Sequence, residues 1–119
     1  MRAICFLFAF LALAGCSQEP TVLLPDSESQ PEWVSKLIQE LESEPLANPP
    51  AFLARYLYHG QVVYFLPQRC CDIPSVLWDA EGTVLCSPDG GITGEGDGKC
   101  PDFHKEKSDE VIIWRDPRN

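Results

Sequence analysis

The chain has little that carries catalysis and little positive charge. Its 119 residues include only two histidines, His59 and His104, and nine basic side chains against 18 acidic ones. That excess of acid excludes binding of nucleic acid or of anionic lipid by general electrostatics. It favours a basic protein partner or a cation. No serine stands in a G-x-S-x-G setting, and no glycine-rich phosphate loop is present. Adjacent Cys70 and Cys71 lack the spacing of C-x-x-C exchange enzymes and the gap of about two to four residues usual between zinc ligands. A cysteine nucleophile needs Cys100 paired with His104 or His59 and oriented by Asp102, and no spacing singles out that set. No catalytic residue is therefore assigned, and the chain reads as a non-enzyme. Past residue 16 no apolar run approaches the roughly 20 residues that a membrane-spanning helix needs. There is no internal repeat.

What is there begins with residues 1–16. Met1 and Arg2 form a positive end, residues 3–13 (AICFLFAFLAL) are apolar but too short to span a bilayer, and Leu13-Ala14-Gly15-Cys16 follows. This arrangement resembles the signal and lipobox of bacterial lipoproteins. The resemblance implies cleavage before Cys16, diacylation of its sulfur and acylation of the new amine. Several acyl chains anchor stably where one does not, since each buried CH₂ contributes about 0.8 kcal/mol. Ser17 resembles the residue type that lets enteric lipoproteins proceed to the outer membrane. The expected organisation is a signal at 1–15, lipidated Cys16 and a tether at 16–30, and one domain at 31–119. The expected location is the bacterial cell envelope, lipid-anchored in the outer membrane and facing the periplasm or the cell surface. Within the tether, Val22-Leu23-Leu24 is a small apolar exception.

Cys5 leaves with the signal and Cys16 carries lipid, so Cys70, Cys71, Cys86 and Cys100 remain. Four cysteines in a small exported domain read as two disulfides. A Cys70–Cys71 bridge closes a strained ring, so Cys70 and Cys71 are each expected to reach one of Cys86 and Cys100. The two crossed pairings stay open. Each bridge stabilises by about 2–4 kcal/mol.

Residues 31–44 read as an amphipathic helix, with Trp33, Val34, Leu37, Ile38 and Leu41 on one face. Ser29 and Glu32 have capping-box spacing, and Pro45 marks the end. Glu40, Glu42 and Glu44 oppose the helix dipole at its C-terminus, so packing must hold this helix. Strands are expected at 52–58, 61–66, 75–78, 83–86 and 111–114. His59-Gly60 reads as a hairpin turn, and Asp79-Ala80-Glu81-Gly82 as a type I turn followed by a left-handed glycine. The fold class is α+β: the helix packed on a four- to five-stranded antiparallel sheet, stapled by two disulfides. The aromatics mostly cover the sheet faces. A single helix leaves one face open, and Tyr or Trp side chains there would suit recognition.

Residues 87–102 hold five glycines within 90–98 and are bracketed by cysteines, which predicts a held loop. Two uses compete with a merely shaped loop. Asp89, Glu95, Asp97 and Asp102 are hard oxygen ligands suited to calcium, although no D-x-D-x-D-G series is present. Gly90, Gly91, Thr93 and Gly94 form the candidate binding element. His104 falls in HKEKSDE, a segment that reads as a solvated loop.

The stretch Gly60-Gln-Val-Val-Tyr, Cys70-Cys71-Asp72, Leu77-Trp78-Asp79-x-x-Gly82 and C86-x-P-D-G-G-I-T-G-E-G-D-G-K-C100-P-D-F103 resembles a small bacterial exported domain of unknown function, often found behind lipoprotein signals. Trp78 stands where that family has tyrosine. The resemblance implies a disulfide-bearing extracytoplasmic domain and supplies no catalytic residue. The expected function is thus a membrane-anchored, non-enzymatic binding or structural domain. The alternatives are an inhibitor of a basic exported enzyme, such as a lysozyme or protease, and a calcium module built on the 87–102 loop.

Overall fold

The computed structural model describes Gly15, residues 30–70 and residues 72–118. Residues 1–14 of the expected signal, Cys16, most of the tether including Ser29, and Cys71 lie outside the described residues. The elements run α1 (Glu32–Ser43), β1 (Phe52–Tyr58), β2 (Gln61–Leu66), β3 (Val76–Trp78), β4 (Val84–Cys86), α2 (Phe103–Glu106) and β5 (Ser108–Arg115). All strand pairs are antiparallel, in the order β4-β3-β2-β1-β5. The fold is α+β, as expected. Among the described residues no helix is long and apolar enough to cross a membrane.

Two turns set the register of the meander. His59 and Gly60 both take positive φ, 48° and 74°. That is the two-residue turn whose twist matches a hairpin. In the β3–β4 turn the Asp79 carboxylate accepts from the amides of Glu81 (3.0 Å) and Thr83 (2.9 Å), and Gly82 sits at φ 87°. A Cβ on Gly82 would stand 2.8 Å from the Trp33 ring, so this turn also shapes the seat of α1.

Alternation along β1 and β2 divides the core. Leu53, Tyr64 and Leu66 face α1, where they meet Val34, Leu41 and the partly buried Trp33, Leu37 and Ile38. The helix thus buries the face that its periodicity predicts. Its N-cap is Pro31, without a side-chain capping bond, and Glu32 instead pairs with Lys36 at 2.8 Å. Ser29, the other half of the expected capping box, lies outside the described residues. At the acidic C-terminus, Arg118 donates to the carbonyls of Leu41 (3.4 Å) and Glu44 (2.8 Å), while Asp116 holds its guanidinium at 2.6 Å. A cation from the far end of the chain thus adds a donor to the Leu41 carbonyl, which already accepts from the Glu44 amide, at a last turn that carries no base.

The opposite face is not open. Ala54, Tyr56, Tyr58, Val63, Phe65 and Leu77 pack there against Cys86, Cys100 and Phe103. Phe103 is fully buried, with ring centroids 5.0 Å from Phe65, 5.4 Å from Tyr58 and 5.7 Å from Tyr56. The second layer is the chain after β4, which returns across the sheet as a loop and the single turn α2. HKEKSDE is therefore not one solvated loop. It divides between α2 and the start of β5, whose polar residues sit at a sheet edge, where charge is tolerated.

The crossed disulfide pairings are overturned. Cys86 and Cys100 bond to each other across a Cα separation of 6.2 Å. Cys86 ends β4 facing the core, and Cys100 precedes α2 beside it, so burial of Phe103 brings the two together. Cys70 is also disulfide-bonded. It sits in a turn in which the Arg69 amide donates to the Ile73 carbonyl at 3.2 Å.

Phe103 joins the loop to the sheet, so its removal should be costly. Phe103→Ala is expected to lower unfolding free energy by about 3–5 kcal/mol, and Phe103→Leu by less. Equilibrium denaturation of both variants checks this, and equal small losses would remove Phe103 from its central place.

Candidate binding loop

The loop from Ser87 to Lys99 is held from within and below. The Asp97 amide donates to the Ser87 carbonyl at 3.0 Å, and the Asp97 carboxylate accepts from the amides of Ser87 (3.0 Å) and Lys99 (2.9 Å). The Gly90 amide donates to the Gly94 carbonyl (3.1 Å), and the Gly96 amide to the Gly90 carbonyl (3.1 Å). Buried Ser75 ties the loop base to the sheet: its amide and hydroxyl donate to the Asp89 carbonyl, and its oxygen accepts from the Asp89 amide. Gly96 allows the closest approach. At φ 67°, a Cβ there would fall 1.9 Å from the Ser87 carbonyl oxygen.

At the tip stands Ile92, 92% exposed, the most exposed large apolar side chain described. Gly91 and Thr93 flank it, and a recess of about 270 Å³ between Pro74 and the loop lies alongside. Exposed Glu95 and Asp97 border the other side. The candidate residues Gly90, Gly91, Thr93 and Gly94 thus build the scaffold, and the side chain they present is Ile92. Its only sequence signal was an aliphatic residue within a glycine- and acid-rich loop that needs none for packing.

The four candidate calcium carboxylates are dispersed. Asp89 pairs with His104 Nε2 at 2.5 Å, and Asp97 is occupied by loop amides. Asp102 accepts from the Tyr58 hydroxyl at 2.5 Å and bonds His59 Nε2 at 2.7 Å. Glu95 is exposed. Among the described residues, no three His, Cys, Asp or Glu side chains converge on a metal position. Cys100 is closed in its disulfide and offers no thiolate to His104 or His59.

The hydrogen bonds leave an electrostatic signature. The amides of Lys99 and Ser87 hold the Asp97 carboxyl below the usual carboxylate range. The Tyr58 hydroxyl, and then His59, do the same for Asp102, and Arg118 does so for Asp116. Burial, reinforced by the hydrogen bond to Asp102, pushes the Tyr58 phenol up to about 12.

A disulfide-closed loop on a covered antiparallel sheet makes this a small α+β domain. The match with a domain of unknown function (DUF6970) over residues 39–116 shows that the chain belongs to that family. No curated protein and no solved structure matches the chain. The matched region begins in α1 and runs through β5, so it contains the whole sheet and the loop.

Two tests follow from this geometry. Gly96→Ala must displace the Ser87 carbonyl, whereas Gly98→Ala, with nothing within 4 Å of its Cβ, meets only the left-handed backbone cost of about 1–2 kcal/mol. Thermal unfolding should therefore show Gly96→Ala clearly below Gly98→Ala. Stability should also fall at both pH extremes. Carboxyls depressed in the folded state stabilise fully above their unfolded value of about 3.9, and that contribution disappears as pH falls through the lower folded values. The raised Tyr58 phenol stabilises below about 10 and loses its contribution as pH rises towards about 12. Asp102→Asn should flatten both limbs in denaturation measured against pH.

Proposed function

We propose that the protein is a lipid-anchored module of the bacterial cell envelope that binds another protein through loop 87–99, with Ile92 as the anchor. The supporting observation is the near-complete exposure of Ile92 on a loop fixed by a disulfide and by its own backbone bonds. A fixed loop loses little conformational freedom on docking, which leaves more of the contact energy as affinity. An apolar side chain entering a partner's pocket is the usual form of a binding hot spot. The lipobox at Leu13–Cys16 supports the anchor, and Ser17 supports the outer membrane.

Glu95 and Asp97 beside Ile92 favour a narrower version, in which the partner is a basic exported enzyme and the loop enters its cleft. An apolar tip with acidic flanks suits an apolar socket rimmed by Lys or Arg. Added protein should then slow a lysozyme or protease stoichiometrically and in a salt-sensitive manner.

A photo-crosslinking residue at position 92, introduced in cells, is expected to yield one discrete adduct, whereas the same residue at exposed Leu46 yields none. Ile92→Asp should abolish co-purification of the adduct partner and leave the melting temperature within a few degrees. Equal crosslinking at both positions would sink the loop as the contact. For the anchor, Cys16→Ser should move the protein from the membrane to the soluble fraction.

A further inference from the structure

On the α1 side of the sheet, beyond the start of the helix, a groove of about 610 Å³ remains. Its floor is apolar. Leu57 and Val62 are cross-strand partners, and Val111 and Tyr64 flank Arg55 on either side. Leu57, Val62 and Val111 are each about two-fifths exposed, at 37%, 40% and 41%. The volume lies within the roughly 300–1,000 Å³ usual for small-molecule sites.

Arg55 is the anomaly. Arg69 pairs with Glu44 at 2.6 Å, Arg118 with Asp116 at 2.6 Å, and Arg115 lies 5.2 Å over the Phe52 ring. The side chain of half-buried Arg55 has neither an ion pair nor a hydrogen bond among the described residues, in a chain with twice as many acids as bases. Asp109 also lines the groove, yet forms no ion pair with it. A guanidinium on an apolar floor keeps its donors available for a planar anion.

We propose that this groove binds a long-chain carboxylate, with the carboxylate on Arg55 and the alkyl chain along Leu57, Val62 and Val111. The floor decides between an alkyl chain and a peptide. β1 and β2 pair continuously from Ala54–Phe65 to Tyr58–Gln61, so the face presents side chains and few backbone partners. A peptide laid there would leave its own amides and carbonyls unsatisfied, whereas an alkyl chain has none to satisfy. The site is distinct from loop 87–99, which covers the other face, and the two readings stand or fall separately.

The test is a titration of the full chain with decanoate below its micellar concentration, read by tryptophan fluorescence. Trp33 packs edge-on to Tyr64 with ring centroids 5.1 Å apart, so occupancy reaches a reporter. Saturable binding is expected. Arg55→Gln should weaken decanoate by about tenfold or more while leaving decanol, with the same tail and no charge, unchanged. Arg55→Lys, which keeps the charge but loses the planar fork, should weaken decanoate while leaving decanol unchanged, and added salt should weaken decanoate alone. These two arms carry the test if Arg55→Gln does not fold. An absence of saturation, equal decanoate affinity in folded Arg55→Gln, or tighter binding of a Val-Leu peptide would overturn the proposal. So would burial of the groove in a dimer that decanoate does not compete with.

Discussion

Burial of Phe103 is the constraint on which the rest of the domain depends. Three of the rings it meets, Tyr56, Tyr58 and Phe65, lie on the two central strands, so its seat exists only once β1 and β2 have paired. Seating it returns the chain across the sheet and brings Cys100 to Cys86, whose bond then encloses the loop. It also places Asp102 beside the β1–β2 hairpin, where the carboxylate ties the Tyr58 hydroxyl to His59. His59 thereby gains a partner that offsets the cost of a non-glycine residue at positive φ. One aromatic contact thus couples the hairpin, the disulfide and the loop.

The other face follows an electrostatic logic. An amphipathic helix with Glu40, Glu42 and Glu44 in or just past its last turns works against its own dipole. The fold brings cations and donors to that end from distant segments: Arg118 to the carbonyls, Arg69 to Glu44 and the Trp114 indole to Glu42. Helix and sheet are thus joined by polar bonds at one end and by Trp33 at the other, where its indole donates to the Ala80 carbonyl. Among the described arginines, Arg55 is the one whose guanidinium has neither an acid, a carbonyl nor a ring beside it.

What the sequence made legible was what has local chemistry. Gly60, Gly82 and the Asp79 carboxylate announce their turns, because those backbone angles suit few other residues. Period 3.6 announces α1, and β-branched and aromatic runs announce β1 to β4. The early start of β5 was hidden because Ser108, Asp109 and Glu110 have little strand propensity: Ser108 pairs with Leu57 of β1, and Asp109 and Glu110 fall at the register shift between Arg55 and Leu57. The layer over the second face was hidden for a different reason. It is built from a loop and one turn of helix, so it has no period to detect, and its single large anchor, Phe103, stands alone just before the charged HKEKSDE segment. The disulfide misreading has the same source. Adjacency argues against one pairing, but only knowledge that Cys86 and Cys100 both line the Phe103 pocket argues for another.

Of the candidate loop, the glycine scaffold was legible in the sequence and the exposed Ile92 it carries was not. Five glycines and four carboxylates suggested an ion, yet three of the four are spent on the protein itself: Asp97 on loop amides, Asp89 on His104, and Asp102 on Tyr58 with His59. Acidic side chains that hold a loop and acidic side chains that hold a cation look alike in a sequence. They differ in whether their oxygens converge on one another or on backbone donors, and here they turn to the donors. A loop so tightly held internally has no need of Ile92 for its own stability. Exposed apolar surface on a rigid support favours whatever removes it from water, by roughly 25 cal/mol per Å². The same physics that leaves Ile92 idle in the isolated domain makes it the part of the molecule with most to gain from a partner.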